Sequence, residues 1–207
     1  MIDQHVLFMF FVSSVVLSLS PGPDNLFVMA QSARNGRLAG MMVTLGLCTG
    51  LVLHTLAVAF GLAALVAASA VAFTVLKFAG AAYLLFLAWK AFHADVEKDS
   101  SDVSQVERGK LYRRGIVMNI SNPKVSLFFL AFLPQFADPK NGPLVPQLLF
   151  LGAIFIVAAL LVFSLLFFVA GGAGARFRRS AKARRVVNRI AGTIFAGFAL
   201  KLLFTER

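Results

Sequence analysis

Six apolar runs, each long enough to cross a bilayer as helix, leave this chain almost no choice of fold class. They cover residues 6–33, 38–67, 71–92, 115–136, 144–170 and 186–204. Crossing the hydrocarbon core takes about 20 residues of helix. Inside that core every backbone polar group must find its partner within the segment, which helices do. The expected fold is therefore an all-α integral membrane protein of six transmembrane helices. Composition agrees: 59% of the chain is hydrophobic and 14% is charged, against about 45–50% and 25% in soluble domains. A water-soluble enzyme, a disordered chain and a free nucleic-acid-binding domain are excluded.

The net charge of +11 is unevenly spread, and seven of the 20 Lys and Arg fall between Arg176 and Arg189. The first, third and fifth connections, the last taken through Arg189, hold 14 basic residues, whereas the second and fourth hold only Lys140. Basic connections stay on the cytoplasmic side, beside anionic lipid. Both termini are thus expected to face outward, with lipid rather than nucleic acid as the partner of the positive charge. Trp89 and Tyr112 fall near the cytoplasmic boundary. Residues 1–5 contain Asp3 but no Lys or Arg, so the first run is expected to remain as a span rather than serve as a cleaved signal.

The chain carries a trace of duplication. One hundred residues on, Pro23 falls on Pro123 and Asp24 on Lys124. At an offset of 112, Lys77-Phe78-Ala79-Gly80 lies over Arg189-Ile190-Ala191-Gly192. Residues 1–93 and 115–207 then form two three-helix repeats joined by a cytoplasmic linker, 94–114. Three spans per copy is odd, so the copies must cross the membrane in opposite directions, an arrangement common in secondary transporters.

The prolines locate the chemistry. Pro21 and Pro23 lie inside the first run and Pro123 inside the fourth, and proline removes a backbone donor and clashes with the preceding turn. Helices 1 and 4 should break there, a few residues from the midplane, where broken backbone is tolerated only if buried or lining a cavity. Gly22 and Asn122 suit the N-caps of the new half-helices, and Pro23 and Pro123 their first positions. A half-helix N-terminus favours a carboxylate. Lys124 sits at the wrong end of its dipole and calls for an anion, either Asp24 or a substrate carboxylate. Charge at that depth costs about 2.5–3.5 kcal/mol on insertion scales and is usually functional.

In this setting Ser20-Pro21-Gly22-Pro23-Asp24-Asn25, Lys77-Phe78-Ala79-Gly80-Ala81-Ala82-Tyr83-Leu84 and Asn119-Ile120-Ser121-Asn122-Pro123-Lys124 are similar to the signature segments of the LysE/RhtB family of amino-acid exporters. So is the stretch from Phe128 to Phe136, and the likeness spans nearly the whole chain. The resemblance implies a bacterial inner-membrane carrier that expels amino acids against proton uptake. Asp24 stands where many relatives carry Asn.

The expected substrate-binding residues are Gly22, Asp24, Asn25, Asn119, Asn122 and Lys124, between the first and fourth helices. The carboxylate would meet Lys124 and the half-helix amides, and the ammonium Asp24 or freed carbonyls. Asp24 and His54 are the candidates for proton coupling, since an unperturbed histidine titrates near pH 6.5. Lys77 is a possible accessory whose stem can snorkel. Gly46 and Gly50 allow close helix approach, within the protomer or across a homo-oligomer. Cys48 is the only cysteine, and His5, His54 and His93 fall in different segments or depths, so neither a metal cluster nor a disulfide is expected. Without a P-loop, ATP is not the direct energy source. No cofactor or enzymatic activity is expected. The competing readings are export of an inorganic cation or other small metabolite on the same scaffold, or a membrane scaffold or channel.

Overall fold

Both proline-containing runs are interrupted. The computed structural model describes residues 2–20, 22–68, 78, 81–82, 85–86, 88–89, 92–93, 107–178, 189, 192–193, 196–197 and 199–200. Pro21, Lys77, the linker residues 94–106 and most of the third and sixth apolar runs lie outside the described residues. Among those described, the regular structure is entirely helical. Helix α1 (Gln4–Leu19) gives way to α2 (Pro23–Asn35), and α3 (Arg37–Ala68) follows. In the second half α4 (Arg108–Ile120) gives way to α5 (Pro123–Ala131), then two 3-10 turns (Leu133–Phe136 and Pro139–Asn141) lead to α6 (Leu144–Arg178). The bends are 61° between α1 and α2 and 53° between α4 and the segment that α5 begins.

Pro23 and Pro123 are the first residues of their half-helices, as a ring without an N–H requires. The flanking backbone is repaired locally. Ser20 N–H donates back to Val16 O at 2.9 Å, and Asn122 N–H to Asn119 O at 3.0 Å. Helix α4 begins seven residues before the fourth apolar run, so Arg108, Lys110, Arg113 and Arg114 are helical rather than loop. Hydropathy ends where the apolar face ends, but a helix continues while its polar residues reach water.

Unbroken helices α3 and α6 supply stretches long and apolar enough to span a membrane, Arg37–Gly61 and Leu144–Ala170. Each broken helix packs against the long helix of the other half: α4 along α3, and α1 with α2 along α6. Close backbone contacts fix the directions. A Cβ on Gly46 would run into the Tyr112 carbonyl and one on Gly50 would lie 2.6 Å from Asn119 Oδ1, so α3 and α4 run parallel. Gly40 meets Phe167 and Gly152 meets Thr55, so α3 and α6 run antiparallel. The corresponding long helices of the two halves thus point in opposite directions. The Gly46/Gly50 pair is spent inside the protomer, on the α3–α4 seam. Tyr112 ties the same seam, its hydroxyl 3.0 Å from Thr49 Oγ1.

Phe10, Phe128, Phe129, Phe132, Phe136 and Phe155 are buried together between α1, α5 and α6, with ring centroids such as Phe128–Phe132 at 4.3 Å and Phe10–Phe136 at 5.0 Å. Phe8, Phe60, Phe150, Leu161 and Leu165 point outward and are more than half exposed, a belt suited to lipid. Parallel α3 and α4 bring Arg37 and the Arg108–Arg114 cluster to one end of the molecule, with Arg34 just before the α2–α3 turn. Two of these guanidinium groups lie on aromatic faces, Arg114 on Phe27 at 4.8 Å and Arg37 on Phe168 at 5.4 Å.

Candidate functional site

Breaking a helix frees carbonyls that must be satisfied at depth, and this explains the polar side chains at the first break. Asn25 Nδ2 donates to Ser18 O at 2.7 Å, and Lys124 Nζ reaches across from the other half to donate to Ser20 O at 2.8 Å. At the second break, the Asn119 carbonyl is approached by His54 Nε2 at 3.4 Å. Each half-helix starts differently. Asn122 caps α5 through its side chain, accepting from Lys124 N–H at 3.1 Å, while its carbonyl accepts from the Val125 and Ser126 amides. Gly22 brings no side chain to α2, so that N-terminus has no side-chain cap. Of the two half-helix starts, that of α2 therefore keeps amides without a side-chain cap and that of α5 does not. Asn122→Ala should cost about 1 kcal/mol of stability, the usual worth of an N-cap, read as a small drop in the midpoint of detergent unfolding.

Asp24 and Lys124 do not form an ion pair within 4 Å; Lys124 Nζ instead donates to Ser20 O. Asp24 is buried, and its Oδ2 accepts from Asn119 Nδ2 at 3.3 Å. No hydrogen bond closes on its other oxygen, Oδ1, although the Asn122 side chain lies near enough to interact with the carboxyl, and none closes on Asn119 Oδ1 or Ser18 Oγ. All three residues are at least nine-tenths buried and line one cavity with Asn25 and Lys124. Leu17, Leu51, Val125, Phe155, Ala159 and Phe163 complete its walls. Leu51 lies near the middle of the Arg37–Gly61 stretch, which sets the cavity at mid-membrane depth. The cavity, about 20 Å³, admits water but would have to widen for anything larger.

Of the residues singled out in the sequence, Asp24, Asn25, Asn119 and Lys124 therefore meet at one cavity. Gly22 abuts it: a Cβ there would lie 3.4 Å from Lys124 Nζ, so a bare backbone lets the ammonium settle on the break. Asn122 stands behind as a cap. His54 is not among the cavity-lining residues; its ring lies 5.6 Å from that of Phe129 and its Nε2 approaches the Asn119 carbonyl. Ser18 and the α6 face were not foreseen. Ser18 precedes the proline motif by a helical turn, and nothing in a uniformly apolar run marks one face of α6.

Two interrupted helices meeting over a buried cavity with polar groups at the breaks, between oppositely directed long helices, are an arrangement found in membrane transporters. The chain belongs to the LysE-type translocator family, whose model matches residues 15–206. It is 38% identical to the homoserine/homoserine lactone efflux protein of Salmonella typhi over 75% of each chain. It is also 31% identical to the uncharacterized membrane protein YrhP of Bacillus subtilis, over 96% of this chain and 98% of that one. An uncharacterized membrane protein of Pseudomonas aeruginosa is 35% identical over 91% and 90%. No solved structure matches.

Proposed function

We propose that the protein exports a small amino acid across the bacterial inner membrane in exchange for protons. The observation that carries this reading is the set of three buried, unpartnered oxygens on Ser18, Asp24 and Asn119, residues that line one cavity together with Lys124. Buried polar atoms without partners are costly, and a ligand that donates to them removes the cost. A substrate ammonium donates to Asp24 Oδ1 and Asn119 Oδ1, and the carboxylate lies toward Lys124 and the uncapped start of α2. The relatives named for efflux of homoserine and its lactone support this division. Those two molecules share an amino group, and only the first has a carboxylate, so the acidic side of the site is the common anchor.

Asp24 is the proton carrier in this scheme, since it alternates between substrate ammonium and proton. His54, joined to it through Asn119, is the second proton-coupling group. The basic end formed by Arg34, Arg37 and the start of α4 faces the cytoplasm, which leaves both termini outside. Residues 1–93 and 115–207 are the two repeats, and membrane lipid surrounds them.

Counterflow in proteoliposomes tests the assignment. Wild-type protein should exchange labelled homoserine. Lys124→Met should weaken homoserine about ten- to a hundredfold, the worth of a charge-assisted hydrogen bond, and weaken the lactone much less. Absence of any amino-acid exchange by the wild type, or equal losses for acid and lactone, would overturn the reading.

A further inference from the structure

The polar half of the cavity is built by the two broken helices, and the apolar half largely by the two unbroken ones. Phe155, Ala159 and Phe163 recur at four-residue spacing, so they form one stripe along α6, and Leu51 of α3 joins them in the cavity wall. These four are at most 5% exposed. The members of the stripe differ in freedom. Phe155 is fixed by neighbouring rings, 5.0 Å from Phe129 and 5.2 Å from Phe128. Ala159, one turn on, contributes only a methyl group, and Phe163 closes the stripe a turn later.

We infer that this α6 stripe is the subsite for the substrate's side chain, with Ala159 and Phe163 setting the size it accepts. The inference rests on the amino-acid reading of the polar half. Once the backbone ammonium is held at Asp24 and Asn119, the side chain is left facing the apolar wall. A short aliphatic or hydroxylated side chain fits there. The stripe and Leu51 carry no acid, so a lysine or arginine side chain would bury a second cation without a counter-charge. Ala159 is the smallest side chain among the lining residues, and enlarging it shortens the side chain that can enter.

The test is competition against labelled substrate in proteoliposomes, using alanine, homoserine, leucine, phenylalanine and lysine on wild type, Ala159→Leu and Phe163→Ala. In the wild type the small neutral amino acids compete and lysine does not. Ala159→Leu loses about tenfold or more for leucine relative to alanine, the scale set by a misfit of a methylene or two in an apolar pocket. Phe163→Ala shifts the ratio the other way and admits phenylalanine. The two variants change volume in opposite senses, so a general loss of folding cannot imitate both results. Competition by lysine as strong as by alanine, or unchanged ratios in both variants, overturns the subsite while leaving amino-acid transport standing. A wild type that moves no amino acid defeats the transport reading first, and this inference falls with it.

Discussion

Asp24→Asn leaves a protein that inserts normally but loses most of its export, even though Asn is common at this position in the family, because in this chain no second acid among the described residues lines the cavity to take over the substrate ammonium. The substitution keeps the shape of the side chain and a hydrogen-bonding atom for Asn119, whose amide lies 3.3 Å from Asp24 Oδ2. It removes the only carboxyl group among the described residues that line the cavity. A substrate ammonium entering the substituted site would be a desolvated cation with neutral partners and Lys124 nearby. Breaking a buried charge pair by removing one partner costs about 3–5 kcal/mol, which corresponds to more than a hundredfold in binding. Because homoserine and its lactone share the amino group, both should be lost together, unlike the split expected for Lys124→Met. Efflux and counterflow of both compounds, measured at matched membrane abundance, decide the matter. Wild-type rates in Asp24→Asn would remove Asp24 from the site and from proton coupling alike.

Gly46→Ala should strip most of the folded protein from the membrane, and Gly46→Leu all of it. A Cβ at position 46 collides with the Tyr112 carbonyl oxygen and comes within 3.1 Å of Gly115 Cα. Both obstacles are backbone, so neither can swing aside as a side-chain tip would. The facing glycine is equally tight, with Gly115's own Cβ position 2.6 Å from Val43 O. Overpacking typically costs about 1–3 kcal/mol and occasionally more, and backbone collisions belong at the upper end. The site suffers as well, because the same seam holds Asn119 against Gly50. Gly61→Ala is the matched control, since nothing lies within 4 Å of a Cβ there. Thermal unfolding in detergent should show a large fall in midpoint for Gly46→Ala and almost none for Gly61→Ala. Equal midpoints would mean that α3 and α4 are not packed at these glycines.

Local rules reach far in a chain of this kind. The length of each apolar run fixes a helix, because lipid offers no other partner for the backbone. Pro23 and Pro123 fix where two of those helices stop, because a ring cannot donate or fit the preceding turn. Asn122 was legible as a cap for the same reason, and Asp24 and Lys124 stood out because charge in oil demands an explanation. Boundaries were less legible: α4 starts at Arg108 and α6 runs on to Arg178, since a helix outlasts its apolar face.

Partnership is where sequence reasoning ran out. The sequence left Lys124 with either Asp24 or a substrate carboxylate as its anion; in the fold Lys124 donates to the Ser20 carbonyl and Asp24 accepts from Asn119. The glycine pair fitted two packings equally well until the Tyr112 backbone was found against it. Ser18 and Ala159 belong to ordinary-looking helical stretches, and only their neighbours across the cavity give them a role. By itself the sequence determined that the first, second, fourth and fifth apolar runs are helical, where two of them break and which residues bring charge to that depth, since all three follow from contacts within a few residues. Only the tertiary structure decided which polar atoms remain unpartnered and which wall they face, because a hydrogen bond between residues 95 or 104 positions apart is settled by how helices pack.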